Sequence, residues 1–444
     1  MDNISAVIAT TTFAIVIVAI VSEKIHLMIA AFLGALILVF THVMTLTEAA
    51  DYISRSHATL ALFLGVMILV RSFEPTQVFS YLAGQIVKLS QGSGKRLLLG
   101  IVGITMPICA VLPNATTVML LAPLIPPIAQ DIGIDFIPLL ILMVLVANSA
   151  GLLTLVGDPA TFIVGDGINI SFLDYFQRLS LGGLLAILVI ILLLPVFFSS
   201  IWNRQFEGHK TLKLPTINHP RVLLMGAVIM AMVLVLFVVG ESLPIPMQPA
   251  AVALLGGGLA LLLAHHTKID TVNNILRDVD WSTLIFFMST FVLIGGLEKT
   301  GVVRQLSGIL ATVLGENIAL GCILLMVVVA LLSSVIPNIP LVVAMMPLLK
   351  DYLFNIGFIT ADMLNPEFTG QFPPQVLPLF YAMMFGATLG GNGTLVGASA
   401  NIVAAGVAEL HGGKISFHRF LRYGLPVMGI QVAVSIVFIA IAFL

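Results

Sequence analysis

The sequence predicts an all-α polytopic membrane protein made of two inverted repeats, each with five transmembrane helices and one re-entrant hairpin. Three observations predict it. The 444 residues are 59% hydrophobic and only 9% charged, where a soluble domain carries about 25% charged residues. The chain repeats itself at a constant offset. In each half, one uncharged run is interrupted by Pro-Asn.

Segments such as 179–200 and 424–444 are nearly free of polar groups, and about 20 such residues cross a hydrocarbon core about 30 Å thick. The start, MDNISAVIATTTF, lacks the basic region and small-residue cleavage site of a signal peptide and reads as leading into the first span. A net charge of −2 gives nucleic acid nothing to bind, so the expected partners are the lipid bilayer and a small-molecule or ion substrate. Cys109 and Cys322 have neither metal-ligand nor disulfide spacing and read as small packing residues.

The repeat is carried by polar and helix-breaking positions. Glu74-x-Thr76 matches Glu298-x-Thr300, Leu82-x-Gly84 matches Leu306-x-Gly308, Pro113-Asn114 matches Pro337-Asn338, and Pro123 matches Pro347, all 224 residues apart. After a longer polar loop at 362–376, the register resumes at 240 residues, where Gly151-x-x-Thr154-Leu155-Val156-Gly157 matches Gly391-x-x-Thr394-Leu395-Val396-Gly397. Two-fold internal similarity with Gly/Pro-interrupted apolar segments in corresponding places is the mark of a secondary transporter. The first repeat covers 1–201, a basic cytoplasmic linker 202–221, and the second repeat 222–444.

Spans are expected near 5–22, 27–44, 57–72, 136–156 and 179–200, and again near 222–240, 247–264, 281–297, 378–408 and 424–444. The uncharged runs 97–130 and 317–349 remain. Either one as a straight helix would be about 50 Å long, too long for one span, yet each is too short for two spans and a turn. As hairpins they place 14 of the 19 Lys and Arg residues on one face, a positive-inside bias. As single crossings they would give eleven against eight, which is no bias. Hairpins therefore predict five crossings per half, inverted repeats, and both termini outside. The first hairpin then enters from the cytoplasm and the second from outside, and a cysteine at Gly208 in the linker is labelled only from the cytoplasm.

Backbone freed from helical hydrogen bonding is tolerated at membrane depth where it lines a cavity or is buried in protein. Proline breaks the helix at Pro113 and Pro337, and Asn114 and Asn338 supply donors and acceptors for the freed groups. Helical arms after each tip offer positive N-terminal ends to an anion; arms before it offer carbonyls to a cation. The second pair of breaks, NSAGLLTLVGDPATFIVG and GATLGGNGTLVGASANIVAAG, carries Thr154, Asp158, Thr161, Thr394, Ser399 and Asn401. Small residues also let helices pack closely, but four symmetric breaks point to one midplane site. Asp158 is the single carboxylate in these motifs, and Ala398 stands at its repeat position. Intramembrane acids are usually functional, although a surface acid capping a helix has the same sequence signature. Glu74 and Glu298 read as interfacial helix caps. His26, His42, His265 and His266 fall at span ends without ligand spacing. No H-E-x-x-H or G-x-S-x-G motif occurs, so the chain does not read as an enzyme. A passive channel would not need paired hairpins.

DVDWSTLIFFMSTFVLIGGLEKTGV at 278–302 and GGNGTLVGASANIVAAGVAE at 390–409 resemble the ion transporter superfamily. The branch is that of arsenite permeases, NhaD-type Na⁺/H⁺ antiporters and P proteins, with a citrate-transporter-like domain related to the divalent anion/sodium symporters. The resemblance covers nearly the whole chain. It implies scaffold and transport domains, a homodimer in the cell (inner) membrane, and alternating-access transport of a small inorganic or organic anion coupled to Na⁺ or H⁺. A Na⁺/H⁺ antiporter and an arsenite- or silicate-type efflux permease are the alternatives. By the same analogy Asn114, Thr116, Thr117, Asn338, Thr161 and Asn401 face the substrate. Asn114, Thr154, Gly157, Asp158, Asn338, Thr394, Gly397 and Ser399 form the cation side, with Na⁺ at the junctions of hairpin tip and broken helix and no other cofactor. Where many relatives keep an Asp before the tip Asn, this chain has Pro113 and Pro337, which leaves Asp158 as the coupling acid. The tip hydroxyls of dicarboxylate carriers are also missing, since Ala115 and Ile339 follow the asparagines.

Overall fold

The computed structural model describes residues 3–22, 24–206, 216–365 and 368–444. Residues 207–215 of the linker, including Gly208, lie outside the described residues. Among those described, the chain forms 22 α-helices and no strand, with one isolated antiparallel bridge between Ser93 and Gln205.

Among the described residues, seven helices are long and apolar enough to cross a membrane: Ile4–Val21, His57–Thr76, Phe172–Phe197, Pro220–Ser242, Pro249–Thr267, Trp281–Lys299 and Phe417–Phe443. Leu27–Phe40 has only 14 residues and ends in a turn at His42, which takes a left-handed φ of 57°. Phe172–Phe197 and Phe417–Phe443, at 26 and 27 residues, begin earlier than hydropathy alone suggests. Each starts at a serine cap, Ser171 or Ser416, whose side chain accepts from the backbone N–H three residues on. Large apolar side chains on the outer helices, among them Ile4, Phe40, Val228 and Ile441, are exposed, as a face toward lipid requires.

The outer helices approach one another through small residues. A Cβ on Gly65 would lie 2.4 Å from the backbone of Ala253, so His57–Arg71 and Pro249–Thr267 pack backbone to backbone. Charges gather at helix ends. Arg71 is paired with Asp278 at 2.6 Å and Glu74 at 3.0 Å, and Lys299 with Glu48 at 2.6 Å. Glu74 therefore serves an ion pair and does not cap a helix. Glu298 lies in the last turn of its helix, where the macrodipole disfavours an acid, and faces Arg55 at 3.9 Å.

Phe136–Ala150 and Leu377–Gly390 form the centre. Nearly every residue of both is buried, as expected for helices apolar on all sides. Both stop in the middle of the molecule and resume as Pro159–Gly167 and Ser399–Leu410. The uncharged runs break likewise: Gly94–Cys109 gives way to Asn114–Leu121, and Ile318–Ser333 to Asn338–Asn355.

Repeat positions agree in backbone geometry. Pro113 has φ −52°, ψ 140° and Pro337 −51°, 140°. Gly151 and Gly391 share −56°, −22°. Asp158 has −142°, 135° and Ala398 −143°, 144°. The Thr154 hydroxyl donates to the Ala110 carbonyl and the Thr394 hydroxyl to that of Ser334, so each tip is tied to its broken helix by the same bond.

Candidate functional site

Asp158 caps the Pro159–Gly167 helix, and its Oδ2 accepts from the Thr161 N–H at 3.2 Å. Such a cap needs one carboxylate oxygen; the other is left for the tips. Asn114 Nδ2 reaches Asp158 Oδ1 at 3.1 Å and Asn338 Nδ2 reaches it at 3.2 Å. The Thr388 hydroxyl donates to Oδ2 at 3.2 Å. The carboxylate is 0% exposed, and three helices begin around it, at Asn114, Pro159 and Asn338. Neutral donors and helix N-termini hold its charge; no basic side chain is among its partners.

An amide network continues from this acid. Asn114 Nδ2 also donates to Asn148 Oδ1 at 3.2 Å. Asn148 Nδ2 donates to Asn392 Oδ1 at 3.1 Å and Asn401 Oδ1 at 3.0 Å. Asn392 Nδ2 reaches Ser149 Oγ at 3.0 Å and Gln431 Oε1 at 2.9 Å, and Gln431 Nε2 ends at the Ala186 carbonyl at 2.8 Å. Every side chain in it is buried. A buried polar network is stable only when its members are satisfied, and here each amide has found partners.

Glycine makes the junction tight. A Cβ on Gly157 would lie 2.7 Å from the Cys109 carbonyl oxygen and 3.1 Å from that of Gly151; on Gly397 it would meet the Gly391 and Ser333 carbonyls at 2.9 and 3.1 Å. The Cys109 and Ser333 carbonyls lack their helical partners because Pro113 and Pro337, four residues on, have no N–H. Among the described residues no cluster of three or more His, Cys, Asp or Glu exists, so any ion held here meets backbone oxygens and one carboxylate.

A cavity of ≈ 660 Å³ lies toward the far ends of the Pro159–Gly167 and Asn338–Asn355 helices, lined by Arg55, Asp166, Glu298, Arg304, Lys350 and Asp351 among others. Asp166 sits eight residues after Asp158, about 12 Å along the helix. Met346 packs against Gly167, where a Cβ would meet its methyl at 2.2 Å, and Asp158 does not line the cavity. Glu298, expected as a cap, is instead one of its acids.

Among the residues singled out from sequence, Asn114, Asp158, Thr161, Asn338 and Asn401 are brought together. Thr154 and Thr394 hold the tips, and Gly157 and Gly397 permit the close approach. Ser399 is exposed. Thr116 is half-buried beyond the tip. The Thr117 hydroxyl is buried beside the Cys109 thiol without an oxygen or nitrogen partner.

The sequence profile of the citrate transporter family matches residues 17–367. The chain belongs to that family. It is 68% identical, over 99% of its length and 98% of the other's, to the uncharacterized transporter slr0753 of Synechocystis sp.. It is 31% identical over 98% of each chain to an uncharacterized transporter of Mycobacterium tuberculosis. It is 29% identical to the human P protein over 98% of this chain and 60% of that one. The crystal structure of the Alcanivorax borkumensis YdaH transporter shares the fold, with TM-score 0.62 and 12% identity over 89% of this chain and 87% of the other. This citrate transporter family member is thus a multi-pass membrane transporter and not an enzyme.

Five residues of the network were not singled out from sequence: Asn148, Ser149, Thr388, Asn392 and Gln431. The signals were present. Asn148 and Thr388 stand 240 residues apart, in the repeat register, and Gln431 is the lone amide in the Phe417–Phe443 helix.

Proposed function

We propose that this transporter carries a small anion by alternating access, coupled to Na⁺ or H⁺, with Asp158 as the coupling group and Asn114 and Asn338 presenting the solute site at the two tips. One observation carries the reading: Asp158 is the only charged side chain among the buried described residues, and groups from both repeats converge on it. An unneutralised carboxylate in a dry interior is costly, and it repels an approaching anion. A proton or Na⁺ removes both penalties, so the anion binds well only after the cation, which is coupling.

In this reading the repeats are inverted and the Pro-Asn runs are re-entrant hairpins. Both termini lie outside, the protein is a homodimer in the inner membrane, and the cavity beside Arg55 and Lys350 is the external approach. The lack of a basic side chain around Asp158 favours a second reading, cation/proton exchange without an anion. An arsenite- or silicate-type efflux activity would use the same site with a solute of little charge.

Proteoliposome transport of citrate, other carboxylates, phosphate, sulfate, arsenite and silicate, under separate Na⁺ and proton gradients, tests the proposal. Concentrative movement of one anion under one gradient, lost in Asn114→Ala and Asn338→Ala, is expected. Cation exchange that proceeds without any anion and disappears in Asp158→Asn favours the second reading. Solute flux that never exceeds equilibrium sinks both.

A further inference from the structure

Glu298 departs from its repeat partner. Glu74 pairs with Arg71, one turn earlier in the chain, at 3.0 Å. In the second repeat Gly295 stands at the position of Arg71, and the Tyr52 ring fills the space, 2.4 Å from where a Cβ would sit. Glu298 instead lines the ≈ 660 Å³ cavity, where two cations act on it, Arg55 and Lys350, with Asp351 opposing them.

The two cations stand on different walls. Arg55 follows Leu46–Ser54, which is docked on Trp281–Lys299 by the Lys299–Glu48 pair and by Tyr52 against Gly295. It lies over the Tyr52 ring at 4.4 Å and meets Glu298 at 3.9 Å, the longest ion pair among the described residues. Lys350 belongs to Asn338–Asn355, which packs on Pro159–Gly167 through Met346 and Gly167. Its ammonium rests over the Phe372 ring at 5.1 Å. Among the described residues no acid forms an ion pair with it, although the charges of Asp166 and Glu298 both reach it.

We propose that Glu298 is the shared acceptor of a gate over this cavity: with the cavity open it pairs with Arg55, and closure brings the Lys350 ammonium off the Phe372 ring onto it. Water in the open cavity screens Lys350 from Glu298. Closing expels that water, and the same charges attract more strongly at lower dielectric. Arg55 loses little, because it keeps the Tyr52 ring and its side chain is 44% exposed. The two arrangements differ by one exchanged ion pair, a discrete switch of the kind that packed interfaces use. Lys350 follows Asn338 by twelve residues, about 18 Å along the helix, so closure at Glu298 pulls on the helix whose first residue donates to Asp158. The inference rests on the alternating-access reading, in which such a cavity closes once per cycle.

Met346 lines the cavity, is buried, and lies one turn nearer Asn338 than Lys350 does. The rate at which a water-soluble maleimide labels Met346→Cys in the purified full-length protein therefore reports how often the cavity is open; Cys109 and Cys322 are buried. In that background Lys350→Met and Glu298→Gln should each label faster by at least about twofold, the scale of a half-exposed ion pair. Lys350→Arg keeps the charge and should label as the parent does. Glu298→Lys combined with Lys350→Glu restores the pair with its signs exchanged and should also return to the parent rate. Arg55→Gln removes the competitor for Glu298 and should label more slowly. That opposite sign separates a gate from a fixed Arg55–Glu298 brace, whose two halves would shift the rate in the same direction. Same-direction shifts for Arg55→Gln and Glu298→Gln, or an exchanged pair that labels as fast as the single variants, overturn the inference. Labelling that follows the expected pattern in a protein without concentrative flux of any anion removes the underlying carrier reading instead and leaves the ion-pair exchange standing.

Discussion

Asn114 and Asn338, 224 residues apart in sequence, donate to the same oxygen of Asp158, at 3.1 and 3.2 Å. One carboxylate therefore joins the two Pro-Asn tips. Any movement of one repeat's tip relative to the other must break or exchange one of these bonds. Neutralising or coordinating that oxygen alters both contacts at once, which makes it an effective point for an ion to bias the equilibrium between two arrangements.

Replacing Asp158 with Asn sets a donor NH₂ against other donors. At least one tip amide loses its acceptor, and a buried unsatisfied amide costs about 1–3 kcal/mol. Asp158→Asn is expected to lower thermal stability in detergent modestly and to reduce coupled transport by about two orders of magnitude or more. Asp158→Ala leaves both tip amides unpaired and should be less stable still. Fluorescence-detected thermal unfolding alongside proteoliposome flux separates the effects; full coupled flux in Asp158→Asn would remove this acid from the mechanism.

A methyl group at position 157 would press on the Cys109 carbonyl at 2.7 Å. Backbone cannot swing aside as a side chain does, and overpacking of this kind costs about 1–3 kcal/mol. Gly157→Ala should therefore lower the melting temperature and abolish transport. Gly397→Ala, whose nearest contact is 2.9 Å to the Gly391 carbonyl, should be somewhat milder in stability. Equal melting temperatures for Gly157→Ala and wild type would mean that the junction is looser than this packing implies.

The tips are tied by matched bonds from Thr154 to the Ala110 carbonyl and from Thr394 to the Ser334 carbonyl. Valine keeps the shape and deletes the hydroxyl, leaving a buried carbonyl short of a donor at about 1–3 kcal/mol. Thr154→Val and Thr394→Val should each destabilise, and their effects should add in the double variant, since they act at separate tips. Melting temperatures of the four proteins check this; a double variant no worse than either single would contradict it.

These elements differ in how plainly the sequence displays them. Pro113, Pro337, Gly157 and Gly397 break helices through their own covalent chemistry, so the four interruptions are visible from residue identity and spacing. Asp158 stands out because an acid in an apolar run needs a reason. Asn148, Thr388 and Gln431 do not stand out, because an amide or hydroxyl in a buried helix has the same identity whether it meets a neighbouring helix or only its own. Their partners lie 244, 230 and 245 residues away, at Asn392, Asp158 and Ala186, and only tertiary packing brings those together. Ser399 illustrates the converse: adjacent to the break, it is turned outward while Ala400 and Asn401 face in.

Glu48 closes a capping box with Thr45 and receives the Lys299 ammonium at 2.6 Å. The Lys299 hydrogen bond, followed by that from the Thr45 backbone, holds its carboxyl down at about 2, below the usual 4.5. A depressed acid contributes stability that is fully present above its unfolded value and is lost as pH falls through the folded one. The short Leu46–Ser54 helix should therefore stay docked on Lys299 at pH 5 and loosen between about pH 4.5 and 2. Because the pair is largely exposed, the effect should be small and weakened by salt. Hydrogen exchange of Leu46–Ser54 across that range checks this: Glu48→Gln should flatten the pH response, and an unchanged response would exclude Glu48 as its source.

The proposed inverted arrangement makes a prediction that does not depend on the substrate. Lys268, at the end of Pro249–Thr267, and Glu316, at the 119° bend between Val302–Leu314 and Ile318–Ser333, are both exposed. Five crossings and a re-entrant run in each half, with the N-terminus outside, would place Lys268 in the cytoplasm and Glu316 outside. Cys109 and Cys322 are free and buried, so a membrane-impermeant maleimide should find little background. In intact cells Glu316→Cys should label at once and Lys268→Cys only after permeabilisation. The reverse pattern, with Lys268→Cys labelled in intact cells and Glu316→Cys only after permeabilisation, would mean with the N-terminus outside that the first Pro-Asn run crosses the membrane fully; the positive-inside bias then disappears, and the two tips no longer approach Asp158 from opposite faces.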